Sequence, residues 1–172
     1  MVVAALIALT AGYAAPAVAT PAPIYAVPNS YLAGLQAQLT RPGEAPPGAN
    51  NWTCRPSSEH PEPVVLLHGF LSTSALTWQT LSASLTNQRY CVFALDYGEL
   101  GGIGGLAPIE QSAAQLGRFI HRVLAATGAR QVDLVGHSEG ATMPFYYLDH
   151  EYGAAATRSE EHTSELQSRL HL

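Results

Sequence analysis

Ser138 stands between two glycines in the run Gly136-His137-Ser138-Glu139-Gly140, directly after the apolar segment Val132 to Val135 and ahead of Ala141 to Leu148. A serine hydroxyl attacks a carbonyl only when a base takes its proton, so such a serine calls for a histidine and for an acid to orient it. The G-x-S-x-G spacing supplies the display. The serine sits on a tight strand-to-helix turn in strained backbone, and Gly136 and Gly140 leave room for that turn to pack. The amide of Glu139 then lies at a helix N-terminus, where it can donate to a developing oxyanion. A second donor is expected from the loop after an earlier strand, and in Leu66-Leu67-His68-Gly69-Phe70 the candidate is the Phe70 N–H. His68 and Gly69 are read as support for that loop, His68 packing and hydrogen bonding rather than acting as a base. The same structural reading applies to His137. The alternative for Ser138 is a serine that caps a helix and does no chemistry.

The elements that must position these residues follow from the hydrophobic pattern. "PVVLLHG", residues 63–69, is a continuous apolar run broken by glycine, and "RYCVFALDYG", residues 89–98, reads as a second such strand, both as in strands buried on both faces of a parallel sheet. Between them Trp78, Leu81 and Leu85 have helical spacing across residues 77–88. A long helix is expected from Pro108, with Ile109, Ala113, Leu116, Ile120 and Leu124 on its apolar face and Gly128 closing it. A third strand, Gln131 to Val135, runs into the serine turn and a further helix. Alternating strands and helices give an α/β fold with a mostly parallel sheet and crossover helices, whose functional loops lie at the carboxyl ends of the strands. His68, Asp96 and Ser138 fall at such ends. The glycine run Gly101 to Gly105 lacks the phosphate-binding spacings and is read as a flexible wall near the site. Upstream, a Pro-rich lead and linker over residues 20–63 holds a short helix at Ser30 to Leu39 and shows no chemistry of its own.

Taken together, "PVVLLHGF", "YCVFALDYG" and "VDLVGHSEGATMPFYYL" resemble the secreted bacterial lipases and esterases of the α/β-hydrolase fold, especially the actinobacterial type called class 2 lipase. The resemblance covers roughly Asn50 to Leu148. It implies hydrolysis of acylglycerol or related lipid esters through an acyl-enzyme on Ser138, without a metal or organic cofactor. It also implies a partial hydrolase domain over residues 64–157, lacking its later strands. Other readings are a cutinase-like esterase or thioesterase, and a non-catalytic lipid-binding module. In this fold the acid and the histidine follow the nucleophile in chain order. After Ser138 come only His150, His162 and His171, with Asp149, Glu151 and the tail glutamates. His150 lies twelve residues along the same helix, about 18 Å away at 1.5 Å per residue, so it cannot reach Ser138. Asp96 would be an unusual acid. The triad acid and histidine are therefore expected to be missing from the native part of this chain. Consistent with that, Arg158 to Ser168, "RSEEHTSELQS", equals the translation of a common short-read sequencing adapter, and residues 158–172 are read as a foreign tail.

Composition narrows the setting. The chain has 172 residues, 47% hydrophobic and 12% charged, and a net charge of -5, which suits a globular domain and argues against nucleic-acid binding. The opening apolar run ends in Ala17-Val18-Ala19 before a polar Pro-rich stretch, the pattern of a secretory signal cleaved after Ala19; the alternative is a membrane anchor, against which Gly12, Pro16 and the shortness of the run count, and no second stretch is long enough to span a bilayer. Export makes a Cys54–Cys91 disulfide the expectation, the alternative being a buried Cys91 and a free Cys54; neither has metal-ligand spacing. Asn51 begins a weak glycosylation sequon. The partners expected are a lipid or ester substrate and transient contact with a lipid surface.

Overall fold

The computed structural model describes residues 25–150, together with the backbone of residues 157–158 and 168–169. The signal segment, Glu151, His162, His171 and most of the tail lie outside the described residues.

Three parallel strands form the frame. They are β1 (Val64–Leu67), β2 (Val92–Leu95) and β3 (Val132–Gly136), in the order β2-β1-β3. Val64 of β1 pairs with Val92 on one side and with Asp133 on the other, so the strands run in step and their carboxyl ends share one rim. Val65, Leu66, Leu67 and Phe93 have no solvent exposure, as continuous apolar strands covered on both faces require. Two short strands, β4 (Thr157–Arg158) and β5 (Ser168–Arg169), pair with β3, the first parallel and the second antiparallel.

Helices cover both faces. On one lie α4 (Ile109–Thr127) and α5 (Glu139–His150), closing a core of Val65, Leu67, Phe93, Leu116, Ile120, Leu134 and Met143. Gly117 brings the two helices close, since a Cβ there would stand 3.0 Å from the Tyr147 ring. On the other face Trp78 and Leu81 pack over Val64, Leu66 and Val92. Here the helix expected over residues 77–88 is α3 (Gln79–Asn87), and a short α2 (Ser74–Thr77) that was not expected precedes it, the two meeting at Trp78 with φ -112° and ψ 13°. The expected face of α4 is buried except at Ile109, with Leu124 packed at its edge, and is broader than the apolar residues alone mark. Ile109 is exposed, while Ser112, Gly117, Val123 and Thr127 join Ala113, Leu116 and Ile120 inside. Small residues mark that contact, so apolar periodicity alone misses it. Pro108 caps α4, and Gly128 closes it at φ +76°, the left-handed geometry a helix end favours in glycine.

The lead is built into the fold. Its helix α1 (Tyr31–Thr40) is capped by Ser30, whose Oγ accepts from the Leu32 N–H, and packs on α2. Further along, the Asn50 side chain lies on the open edge of β2, its amide donating to Ala94 O at 3.0 Å while its oxygen accepts from Ala94 N at 2.9 Å. The Asn50 N–H donates to Val92 O at 3.0 Å. Cys54 is joined to Cys91 at the start of β2.

Candidate active site

β3 ends at Gly136, α5 begins at Glu139, and Ser138 occupies the turn between them with φ +56°. A residue with a Cβ pays for that left-handed backbone, so the turn is strained. Packing holds it there. A Cβ on Gly136 would overlap the Gly140 carbonyl, and one on Gly140 would overlap the carbonyls of Leu67 and His68. The two glycines thus let the turn lie directly on the end of β1. The His137 N–H donates to Leu67 O at 3.0 Å, extending the β1–β3 pairing to the residue before the serine. Ser138 itself is exposed.

The loop after β1 meets this turn. A Cβ on Gly69 would be 3.0 Å from Ser138 Cβ and 3.1 Å from His137 O, which puts the Gly69-Phe70 peptide against the serine. Neither the Phe70 N–H nor the Glu139 N–H donates to an acceptor among the described residues. Gly69, Phe70, Leu71, Leu76 and Ser138 share an open groove of about 370 Å³. A hollow of about 500 Å³ beside the lead, lined by Tyr25, Arg41 and Gln79, holds no nucleophile.

His68 is fully buried and lies under the loop. Its Nδ1 is 2.9 Å from Gly69 O, and its Nε2 accepts from the Tyr97 N–H at 3.3 Å, which assigns the ring proton to Nδ1. Burial holds the imidazole below its ordinary pKa of 6.5, outweighing the upward pull of the Gly69 carbonyl and of Asp96, whose Oδ1 is 3.6 Å from Nε2. A neutral ring with both nitrogens engaged holds the loop and has no free site for the serine proton. Asp96 caps α2, accepting from the Ser74 N–H at 2.6 Å and from Ser74 Oγ at 3.0 Å. His150 stacks on Tyr146, with its Nδ1 3.1 Å from Tyr146 O, at the far end of α5.

Two supports were not foreseen. Tyr97 is buried and stacked on His68 with ring centroids 4.4 Å apart, and its hydroxyl donates to His68 O at 2.6 Å. Burial, with the Glu139 carboxylate nearby, holds its phenol well above the ordinary 10, and burial also pushes the Glu139 carboxyl upward. The position of Tyr97 after Asp96, just past a strand end, does not by itself mark that role. The second is the glycine run, which forms a hydrogen-bonded hairpin where a flexible wall was expected. Leu100 and Ile103 exchange backbone bonds of 2.9 and 3.2 Å, and Gly104 N donates to Ser72 O at 2.9 Å. A Cβ on Gly105 would be 2.9 Å from Phe70 Cα, and one on Gly104 would be 2.7 Å from His68 Nε2. Its glycines let the hairpin brace the loop from behind.

A strained serine at a strand-to-helix turn, with two backbone donors and an open groove, is an arrangement for acyl transfer. The family model described as Lipase (class 2) matches residues 61–171. The chain belongs to the class 2 lipase family. This places it among ester hydrolases of the α/β-hydrolase fold, with an ester or lipid as substrate. The lipase match takes in β1, β2, β3 and both loops that meet at Ser138, and leaves out α1 and most of the lead. Among the described residues of this lipase, no helix is long and apolar enough to cross a membrane.

Proposed function

We propose that the chain carries the nucleophile and oxyanion-binding half of a secreted serine lipase that cleaves acylglycerol or related lipid esters. Ser138 Oγ attacks the ester carbonyl carbon, and its proton passes to a histidine. The amides of Phe70 and Glu139 hold the negative oxygen of the tetrahedral intermediate. Collapse expels the alcohol, which leaves with that proton, and water then hydrolyses the acyl-enzyme by the same steps. The observation that carries the reading is the left-handed backbone of Ser138, packed by Gly136 and Gly140 onto the end of β1. Strain of this kind persists where the surrounding structure forces it, and it clusters at working sites. Exposed Phe70, Leu71, Leu100 and Ile103 near the groove supply the transient contact with a lipid surface.

The histidine and acid are read as belonging to the parent protein outside the native part of this chain, so the 172-residue chain alone is expected to turn over little ester. Labelling the parent with a serine-directed phosphonate tests the nucleophile. Label should be lost in Ser138→Ala, and persistent labelling would overturn the assignment. Residues 158–172 are read as foreign to the gene. Because the family match runs through this segment, long-read sequencing across codons 155–158 is the test, and a native frame there would sink that reading.

A further inference from the structure

Helix α1 is amphipathic in the reverse of the usual sense. It buries Gly34 and Ala37 and exposes Tyr31, Leu32, Leu35 and Leu39, Tyr31 being 71% accessible. Helices ordinarily turn large apolar side chains toward a core. This one is pinned with the small face inward. Gly34 lies so close to the Leu76 carbonyl that a Cβ would overlap it. Gln38 Oε1 accepts from the Thr73 hydroxyl, and the Gln38 amide reaches Gly102 O of the glycine hairpin at 3.5 Å. So held, α1 brings Tyr31 into the groove that contains Ser138, beside Phe70, Leu71 and Leu76. Phe70 and Leu71 are both more than half exposed, so the groove presents apolar surface between the nucleophile and the helix.

We propose that Tyr31 is a specificity-determining residue whose ring walls this groove and receives the hydrocarbon chain of the ester attacked by Ser138. The proposal rests on the ester-hydrolase reading above. Helix α1 has no charged residue, and an alkyl chain is the occupant that an uncharged apolar wall next to a nucleophile can take. Ser72, Thr77 and His137 give the groove its polar groups, and the Tyr31, Phe70, Leu71 and Leu76 side chains form the apolar wall along which an alkyl chain lies.

Two ester series on the parent enzyme test it, one lengthening the acyl chain on a fixed alcohol and the other lengthening the alcohol of an acetate. Tyr31→Ala should lower kcat/KM for the long-chain members roughly five- to tenfold relative to the short ones, in one series, which identifies the chain as acyl or alkoxy. Tyr31→Phe should keep the wild-type profile, because the ring and not the hydroxyl acts. Tyr31→Trp should move the optimum to shorter chains, and it keeps the test decisive if the alanine variant folds poorly. A profile unchanged in both Tyr31→Ala and Tyr31→Trp, or lowered equally at every length, overturns the proposal. Turnover retained by Ser138→Ala would instead overturn Ser138 as the nucleophile, and a parent protein that turns over no ester of either series would overturn the ester-hydrolase reading, whatever Tyr31 does.

Discussion

Ser138 sits in backbone that glycine would occupy at no steric cost, and this can be measured apart from the chemistry. Ser138→Gly should stabilise the protein by about 1 kcal/mol relative to Ser138→Ala in urea unfolding, because both variants lose the hydroxyl and only one relieves the positive φ. Equal stabilities would show that the turn stores no strain. His68 makes a second prediction. Its pKa is depressed by burial in the folded protein, so the unfolded chain binds the extra proton first as pH falls. The fold therefore loses stability on acidification below about 6.5, and the loss is complete once pH passes the lowered folded value. Urea midpoints between pH 8 and 5 should fall in the native protein and fall less in His68→Gln. Both residues could be picked out of the sequence, Ser138 from its glycine frame and His68 from its strand-end position. Tyr97 could not, because a tyrosine after a strand looks the same whether its hydroxyl holds a loop carbonyl or faces water.

Individual elements show why periodicity succeeds in some places and fails in others. The three strands were legible in place and order because continuous apolar runs have few other uses, though the second is shorter at both ends than the run that marked it. The short α2 ahead of α3 was not, since its four residues carry no apolar repeat and only the backbone angles of Trp78 separate it from α3. Helix α1 was located closely, but the face it buries carries no apolar signal, because Gly34 and Ala37 serve close approach rather than apolar area. The Asn50 contact with β2 also carries no pattern. Asn50→Ala would leave Ala94 N and O without partners, costing about 2 kcal/mol, and would open a strand edge to self-association. Light scattering alongside urea unfolding should register both effects, and a variant as stable and monomeric as the native protein would refute the edge-closing role. Gly140→Ala, which forces a Cβ into the Leu67 and His68 carbonyls, should cost at least about 2 kcal/mol and abolish phosphonate labelling of the parent.

Across the whole molecule, the sheet brings the loop of Phe70 and the turn of Ser138 and Glu139 together at two strand ends, and that juxtaposition followed from chain order. The acid and histidine did not, since His150 is taken up by Tyr146 and the later histidines lie outside the described residues. The Cys54–Cys91 bond ties the lead to the sheet across a separation of 37 residues, and loop-closure entropy for that length gives about 4 kcal/mol. Reduction with dithiothreitol should lower unfolding stability by about 2–4 kcal/mol, and no change would mean that the lead is held by its other contacts alone. The bond closes four residues after Asn50 and one residue before β2, so the same cross-link that stabilises the chain also holds the residue guarding its open edge. This bears on how the protein is made in the laboratory. Produced in the reducing cytoplasm of a bacterial host, the chain would collect in inclusion bodies through that edge, whereas an oxidising compartment or an oxidative refolding step should yield it in solution.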